Sequence, residues 1–246
     1  MGMKEYRFRY GDGEVVIPLD ERQVLGELHG NHVPAAASIP DTLRAALENP
    51  IGLPPLRQWT KPGERVALVV SDMSRFWMRQ DKVIPPLVDY LRDECGIPED
   101  HVTIIVANGT HDGGDEKELR TLVTDGVYDR VRVVNHDCLA KDLVYLGTTA
   151  HDTPVWINAE AARADRVICL GACTHHVMAG FGGGRKSILP GISGMETICH
   201  NHAYSLDPAC LMSNPRIGNG KVKDNPLNDD MCEAAAMVPQ LYMVNL

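Results

Sequence analysis

Arg65-Val66-Ala67-Leu68-Val69-Val70-Ser71 decides the fold. The apolar residues are continuous from Val66 to Val70 and leave no polar face, which suits a strand buried on both sides. Pro62-Gly63-Glu64 punctuates the entry to it. Downstream, Lys82–Glu94 carries apolar residues at helical spacing and stops at Gly96. The alternation then repeats. Val102–Ala107 reads as a strand, Glu116–Val123 as a helix, and Val131–Val134 and Leu143–Leu146 as short strands. Ala159–Ala164 reads as a helix, Arg166–Gly171 as a second doubly buried strand, and Gln240–Asn245 as one more.

Strands that alternate with helices imply right-handed crossovers and a parallel sheet. Upstream, Glu5–Tyr10 and Val15–Leu19 alternate across Gly11-Asp12-Gly13, the pattern of a β-hairpin. Asp41–Leu47 reads as a short helix entered through Ser38 and Pro40. Lys221–Asp229 is polar, contains Pro226, and reads as a surface loop. The expected fold class is therefore α/β: a Rossmann-like, doubly wound, mainly parallel sheet with a small N-terminal β-hairpin extension. Residues 1–60 form the hairpin and helix extension and 61–246 the core. The last residues, Leu241 to Leu246, read as an apolar strand with nothing to cap it, so a longer parent chain is expected.

The formal charge of −9 over 246 residues argues against nucleic acid and anionic membranes as partners, because both need clustered Lys and Arg. No apolar run approaches the roughly 20 residues of a membrane span, and no signal segment opens the chain. Seven cysteines (Cys95, Cys138, Cys169, Cys173, Cys199, Cys210 and Cys232) form no C-x-x-C pair, and their odd number fits no disulfide framework. They read as reduced thiols of a cytoplasmic protein, with Cys173 and Cys199 as packing residues.

Three polar clusters follow predicted buried strands: Ser71-Asp72-Met73-Ser74-Arg75, Asn108-Gly109-Thr110-His111 and Cys173-Thr174-His175-His176. Ligands of open parallel sheets bind beyond the carboxyl ends of the strands, so the three clusters should converge. The stretch Ala179-Gly180-Phe181-Gly182-Gly183-Gly184-Arg185-Lys186-Ser187 adds four glycines in five positions. Such a loop lets backbone N–H groups approach an anion, and Lys-Ser after it is like a phosphate loop. Arg185 stands where the nucleotide-binding pattern requires Gly. A hinge with a solvated lysine and a desolvated, nucleophilic Lys186 are the other readings.

His29, His32, His101, His136 and His151 fall in predicted loops or at element edges, where surface or packing roles suffice. His111, His175, His176, His200 and His202 lie in or beside the clusters. Adjacent residues of an extended segment point to opposite sides, so only one of His175 and His176 faces the crevice. His200 and His202 diverge on a helix and cannot chelate one metal as an i, i+4 pair does.

The run from His176 through Gly191, followed by Asn201-His202, closely resembles the signature of the nickel-dependent lactate racemases. Asp72-Met73-Ser74-Arg75 and Gly109-Thr110-His111 match that family's two earlier motifs in order. The resemblance covers most of the chain from about residue 60 and implies an amino-terminal lobe whose carboxy-terminal partner lobe is missing. It implies a nickel pincer nucleotide cofactor, tethered to Lys186, with His202 as the protein's nickel ligand. By the same resemblance His111 and His176 are the acid/base residues. Arg75 holds the substrate carboxylate, Asp72 orients Arg75 or an imidazole, and the Asp72-Met73-Ser74-Arg75 loop helps seat the cofactor. Cofactor-making and nickel-insertion proteins follow as partners.

A reaction consistent with this set is racemisation or epimerisation of a small 2-hydroxy acid, with C2–H leaving as hydride while a histidine takes the hydroxyl proton. Without its closing lobe the 246-residue chain is expected to fold but to be nearly inactive. Phe76-Trp77-Met78-Arg79 departs from the family, which usually has a proline-containing turn there, and Asp112 stands where Arg is common. Both differences lie near the substrate, so a longer, polyhydroxy or dicarboxylic acid stands beside lactate. A reversible nucleotide- or phosphate-binding domain and a non-catalytic cofactor-docking module are the competing functions.

Overall fold

The computed structural model describes residues 2–209, 212–238 and 240–246, so Cys210 lies outside the described residues. The chain divides into two compact units, Met1–Ala37 and Ser38–Leu246. The smaller is built on the expected hairpin. β1 (Met3–Tyr10) and β2 (Gly13–Asp20) pair antiparallel, with Tyr6 opposite Ile17 and Phe8 opposite Val15.

The larger unit opens with α1 (Ile39–Glu48). Ser38 caps it by accepting the Asp41 N–H, and Pro40 sits in its first turn, as the sequence requires. Leu43 and Leu47 are buried with the sheet, so this helix belongs to the core unit rather than to the hairpin. There follow α2 (Leu56–Trp59), β3 (Val66–Ser71), α3 (Ile84–Asp93), β4 (Val102–Ala107), α4 (Glu116–Val123), α5 (Asp125–Tyr128) and β5 (Arg132–Asn135). The chain continues through β6 (Val144–Thr148), β7 (Pro154–Ile157), α6 (Ala159–Arg163), β8 (Arg166–Gly171), β9 (His175–His176) and β10 (Gly180–Phe181). It ends with α7 (Met195–Ala203), β11 (Leu206–Asp207), β12 (Met212–Ser213), α8 (Pro226–Ala236) and β13 (Leu241–Asn245).

The main sheet has the order β13-β8-β3-β4-β5 and every pairing in it is parallel. The chain winds outward from β3 to β5, then crosses back to lay β8 and β13 on the other side of β3. The order therefore reverses between β3 and β8, and a crevice opens there beyond the strand ends. Both faces are covered. Leu68, Val70 and Ile104 pack with Leu87 and Leu91 of α3, while Val69, Ile105 and Cys169 pack with Ile198 of α7 and Met231 of α8. Leu68, Val69 and Val70 are wholly buried, and each such side chain contributes about 1.5–3 kcal/mol.

The strand expected at Leu143–Leu146 is β6, which pairs antiparallel with β7 in a separate ribbon, bulged between Tyr145 and Gly147. Two expectations need correction. Lys221–Asp229 is not wholly loop, because α8 begins at Pro226. Asn225 caps that helix by accepting the Asn228 N–H, and Leu227, Met231, Ala234 and Ala235 form its buried stripe. Cys173 and Cys199 are exposed rather than packed, whereas Cys95, Cys138 and Cys169 are buried. Among the described residues no helix is long and apolar enough to cross a membrane.

Candidate active site

The carboxyl ends of β3, β4 and β8 open on one cleft of about 300 Å³ at the reversal of strand order. At the end of β3, the buried Gln80 replaces a strand neighbour. Its Oε1 accepts the Ser71 N–H at 3.1 Å and its Nε2 donates to the Ser71 carbonyl at 2.6 Å. That clamp fixes the departure of Asp72. Asp72 Oδ2 lies 2.6 Å from His111 Nδ1, and Asp72 Oδ1 accepts from Ser74 Oγ at 2.6 Å. Ser74 Oγ in turn accepts from Arg75 Nη1 at 2.9 Å. One carboxylate thus links the imidazole on the β4 loop to the guanidinium on the β3 loop.

The β4 loop is anchored by Asn108, which is buried and donates from Nδ2 to Asn135 Oδ1 at 3.2 Å and to the His136 carbonyl at 3.0 Å. The His111 N–H donates to the Asn108 carbonyl at 2.9 Å, turning the imidazole toward the cleft. Beyond β8 the chain folds into the β9–β10 ribbon, with His176 opposite Gly180. His176 lines the cleft, while His175 faces the other way and stacks on Phe181 with centroids 5.0 Å apart. His176 Nδ1 accepts from the backbone N–H groups of Met178 and Ala179 at 3.2 and 3.1 Å.

The glycines serve close packing. Gly180 has φ +80°, and a Cβ there would lie 2.5 Å from the Lys221 carbonyl oxygen. Gly183 has φ +70°, and a Cβ there would lie 2.5 Å from Asn245 Oδ1. No L side chain fits either place. After Gly183 the backbone makes only a short 3-10 turn, Gly184–Ser187, and the next α-helix starts at Met195. A phosphate loop needs a helix N-terminus immediately after the glycines, and that element is missing here. Arg185 turns back under the loop, donating to Asn228 Oδ1 at 2.7 Å and to the Ala179 and Phe181 carbonyls at 2.8 and 3.2 Å.

Lys186 faces the cleft. Burial, then the charges of Arg185 and Arg75, bring its pKa down to about 8. Burial, then the charges of Lys186 and Arg75, bring His176 down to about 4. Burial also lowers His202, with Lys186 adding to it. His202 Nδ1 donates to the Ile198 carbonyl at 3.0 Å one helical turn back, which leaves its Nε2 lone pair free. Between the two α7 histidines, Asn201 is wholly buried and donates to Asp230 Oδ2 at 2.8 Å and to the Leu227 carbonyl at 3.0 Å. Asp230 is also wholly buried and accepts from Thr149 and Thr153.

Asp72, Arg75, His111, His176, Lys186 and His202 therefore line one cleft. Met73 packs against the hydrophobic core, and Ser74 acts behind Asp72 and Arg75 rather than lining the cleft. His200 is exposed and outside it. Sequence reasoning missed Gln80 and Asp230, because the partners that make them matter are 9 residues away or more and no local pattern marks them. Trp77, exposed at the rim, lines the cleft as well. Among the described residues no three His, Cys, Asp or Glu side chains gather to chelate a metal.

The model of the lactate racemase N-terminal domain matches residues 10–212. The chain belongs to the lactate racemase N-terminal domain family. Members of known name stand at 28% identity: the lactate racemase of Thermoanaerobacterium thermosaccharolyticum over 99% of this chain, and that of Lactiplantibacillus plantarum over 94%. The chain spans 56% and 55% of those proteins, a little over half of their length. The apoprotein structure of the Thermoanaerobacterium lactate racemase matches 98% of this chain and 58% of its own, with TM-score 0.81 and 27% identity. A Thermotoga maritima protein shares the fold at TM-score 0.65 and 22% identity, over 84% of this chain and 50% of its own.

Proposed function

We propose that this lactate racemase N-terminal domain is the cofactor-anchoring lobe of a cytoplasmic racemase or epimerase of small 2-hydroxy acids, lactate or a longer relative. The observation that carries the reading is the meeting of a depressed lysine, a guanidinium, two imidazoles facing the cleft and a third imidazole with a free Nε2 at one strand-end cleft. These residues suit a nickel pincer nucleotide: Lys186 offers an amine that loses its proton near neutrality, and His202 offers one metal ligand with its tautomer set by Ile198. When bound, that cofactor supplies an electrophilic acceptor for the C2 hydrogen with its electron pair. The protein supplies the rest. Arg75, steadied by Ser74, holds the substrate carboxylate through a guanidinium fork. His111 and His176 attend the 2-hydroxyl, and Asp72 steadies His111. Cofactor-making and nickel-insertion enzymes are the partners this implies.

Co-expression with those enzymes should add a nucleotide-sized mass that maps to Lys186 and disappears in Lys186→Ala. In the loaded protein, His202→Ala should lose nickel and keep the adduct, while His200→Ala keeps both. An adduct on another lysine, or equal nickel binding by the two histidine variants, would overturn the reading. Phosphate-loop binding has no observation in its favour, since the helix it requires does not follow the glycines.

A further inference from the structure

Beside the cleft, and sharing Asp72 and Asn108 with it, lies a recess of about 110 Å³. Asp112 and Glu118 line it and pair with no cation among the described residues. One Glu118 oxygen accepts the Asp115 N–H at 3.2 Å, and the other is left over. Asn108, which lines both cavities, is 2% exposed, and its Nδ2 donates to Asn135 Oδ1 and to the His136 carbonyl. Both partners accept, so turning the amide over would set oxygen against oxygen. Its Oδ1 is thereby fixed, and it has no partner among the described residues. A buried acceptor without a donor costs about 1–3 kcal/mol, so a donor that reaches it is favoured. The wall is held in place. Asn135 Oδ1 accepts the Gly114 N–H at 3.1 Å and its Nδ2 donates to the Gly114 carbonyl at 2.8 Å. A Cβ on Gly113 would lie 2.9 Å from Asn135 Cγ, so only bare backbone passes close enough to be gripped. At the rim of the cleft, Phe76 packs against the core and Arg79 pairs with Asp81 at 2.9 and 2.7 Å. The short turn between them presents Trp77 to the cleft.

We infer that this recess takes the hydroxylated tail of an aldonic acid, so that the chain favours polyhydroxy 2-hydroxy acids over lactate. The inference rests on the reading above for the reaction at C2. Arg75 and His111, which attend the carboxylate and the 2-hydroxyl, adjoin the recess through Asp72 and Asp112. A carbon chain leaving C2 therefore has the recess beside it. Hydroxyls on C3 and beyond donate to Asp112, Glu118 and Asn108 Oδ1, and the indole of Trp77 suits the C–H side of the same tail. The alternatives fit worse. A second carboxylate would face Asp112 and Glu118 as like charges, and an alkyl tail would leave the oxygens without donors. A cationic tail suits the oxygens but brings its charge past Arg75. Neutral hydroxyls meet none of these objections.

Proton–nitrogen correlation spectra of the 15N-labelled 246-residue chain read the Trp77 indole and the Asn108 side-chain amide directly. Titration with a five- or six-carbon aldonate should shift both signals, in the free or the cofactor-loaded chain. Lactate and a four-carbon dicarboxylic 2-hydroxy acid at the same concentration should leave them in place. Asp112→Ala should weaken aldonate binding by roughly tenfold or more. In cofactor-loaded protein, kcat/KM for the aldonate should exceed that for lactate by roughly tenfold or more, and Asp112→Ala and Trp77→Ala should each erase most of that ratio. Absence of aldonate shifts in both forms of the chain overturns the inference. So do equal or larger shifts with the dicarboxylic acid or with an amino-tailed acid, or a ratio that Asp112→Ala leaves unchanged. The wild-type titration decides if a variant does not fold. A chain that takes the Lys186 adduct and racemises lactate but ignores aldonates keeps the functional reading and defeats this inference. Aldonate binding at Trp77 and Asn108 by a chain that never takes the adduct does the reverse.

Discussion

A lysine amine attacks only after losing its proton, so a depressed pKa is a statement about reactivity. With its pKa at about 8, Lys186 is half deprotonated near pH 8, where an ordinary lysine near 10.4 is less than about 1% so. Acylation by a small activated ester, followed residue by residue by mass spectrometry, should therefore level off at Lys186 near pH 9 while other lysines are still accelerating at pH 10. A Lys186 profile parallel to theirs would mean that burial is not holding its charge off. Lys186 and His202 were legible in the sequence as positions in a motif. Their electronic state was not, because it depends on burial, on Arg185 and Arg75, and on a carbonyl one helical turn back. His111 and His176 are alike on paper, and only the partners at Nδ1 separate them.

At the scale of elements, α7 is fastened to α8 and to the β6–β7 turn by a carboxylate that pairs with no cation among the described residues. Asp230 accepts from Thr149, Thr153 and Asn201, and Asn201 precedes His202. Asp230→Ala leaves three buried donors unsatisfied and should cost about 3 kcal/mol of unfolding free energy. The accompanying expectation is a loosened α7, seen as faster amide exchange at 198–203 than in a control such as Leu43→Ala in α1. Equal exchange in both variants would remove Asp230 from any part in holding His202. The long elements were readable from period and caps alone: Val102–Ala107, Glu116–Val123 and Arg166–Gly171 lie where the sequence puts them. β6 was readable as a strand but its sheet was not, because four apolar residues look the same in a parallel sheet and in a ribbon. The start of α8 was hidden by its polar first turn, although Asn225-Pro226 with apolar residues at 227, 231, 234 and 235 is a readable cap and stripe.

For the whole molecule, the parallel order was foreseeable but the placing of β8 and β13 beside β3 was not, since connection length does not say to which side a crossover returns. That placing is what sets His176 and Lys186 across from Asp72 and His111. It also buries imidazoles: His136, His176 and His202 are all lowered below the usual histidine value, burial being the leading cause in each. Between that value and the lowered one the unfolded chain binds protons that the folded chain does not, so stability rises with pH and acid drives unfolding. After allowance for partial solvent screening at His176, the loss from pH 7 to pH 5 should be on the order of 2 kcal/mol. Urea titrations at the two pH values measure it, and an unchanged midpoint would contradict burial as the cause.

Among the described residues Arg185 pairs with no carboxylate under the glycine loop; it donates to an amide oxygen and two carbonyls. Dissolved ions weaken attraction between full charges, and at 1 M salt the screening length is about 3 Å. A guanidinium held by neutral oxygens in direct contact gives such ions little to screen. The loop that presents Lys186 should therefore keep its shape in brine, with amide protection at 179–186 the same in 0.05 and 1 M sodium chloride. Exposed pairs such as Arg120 with Glu116 should weaken over the same range.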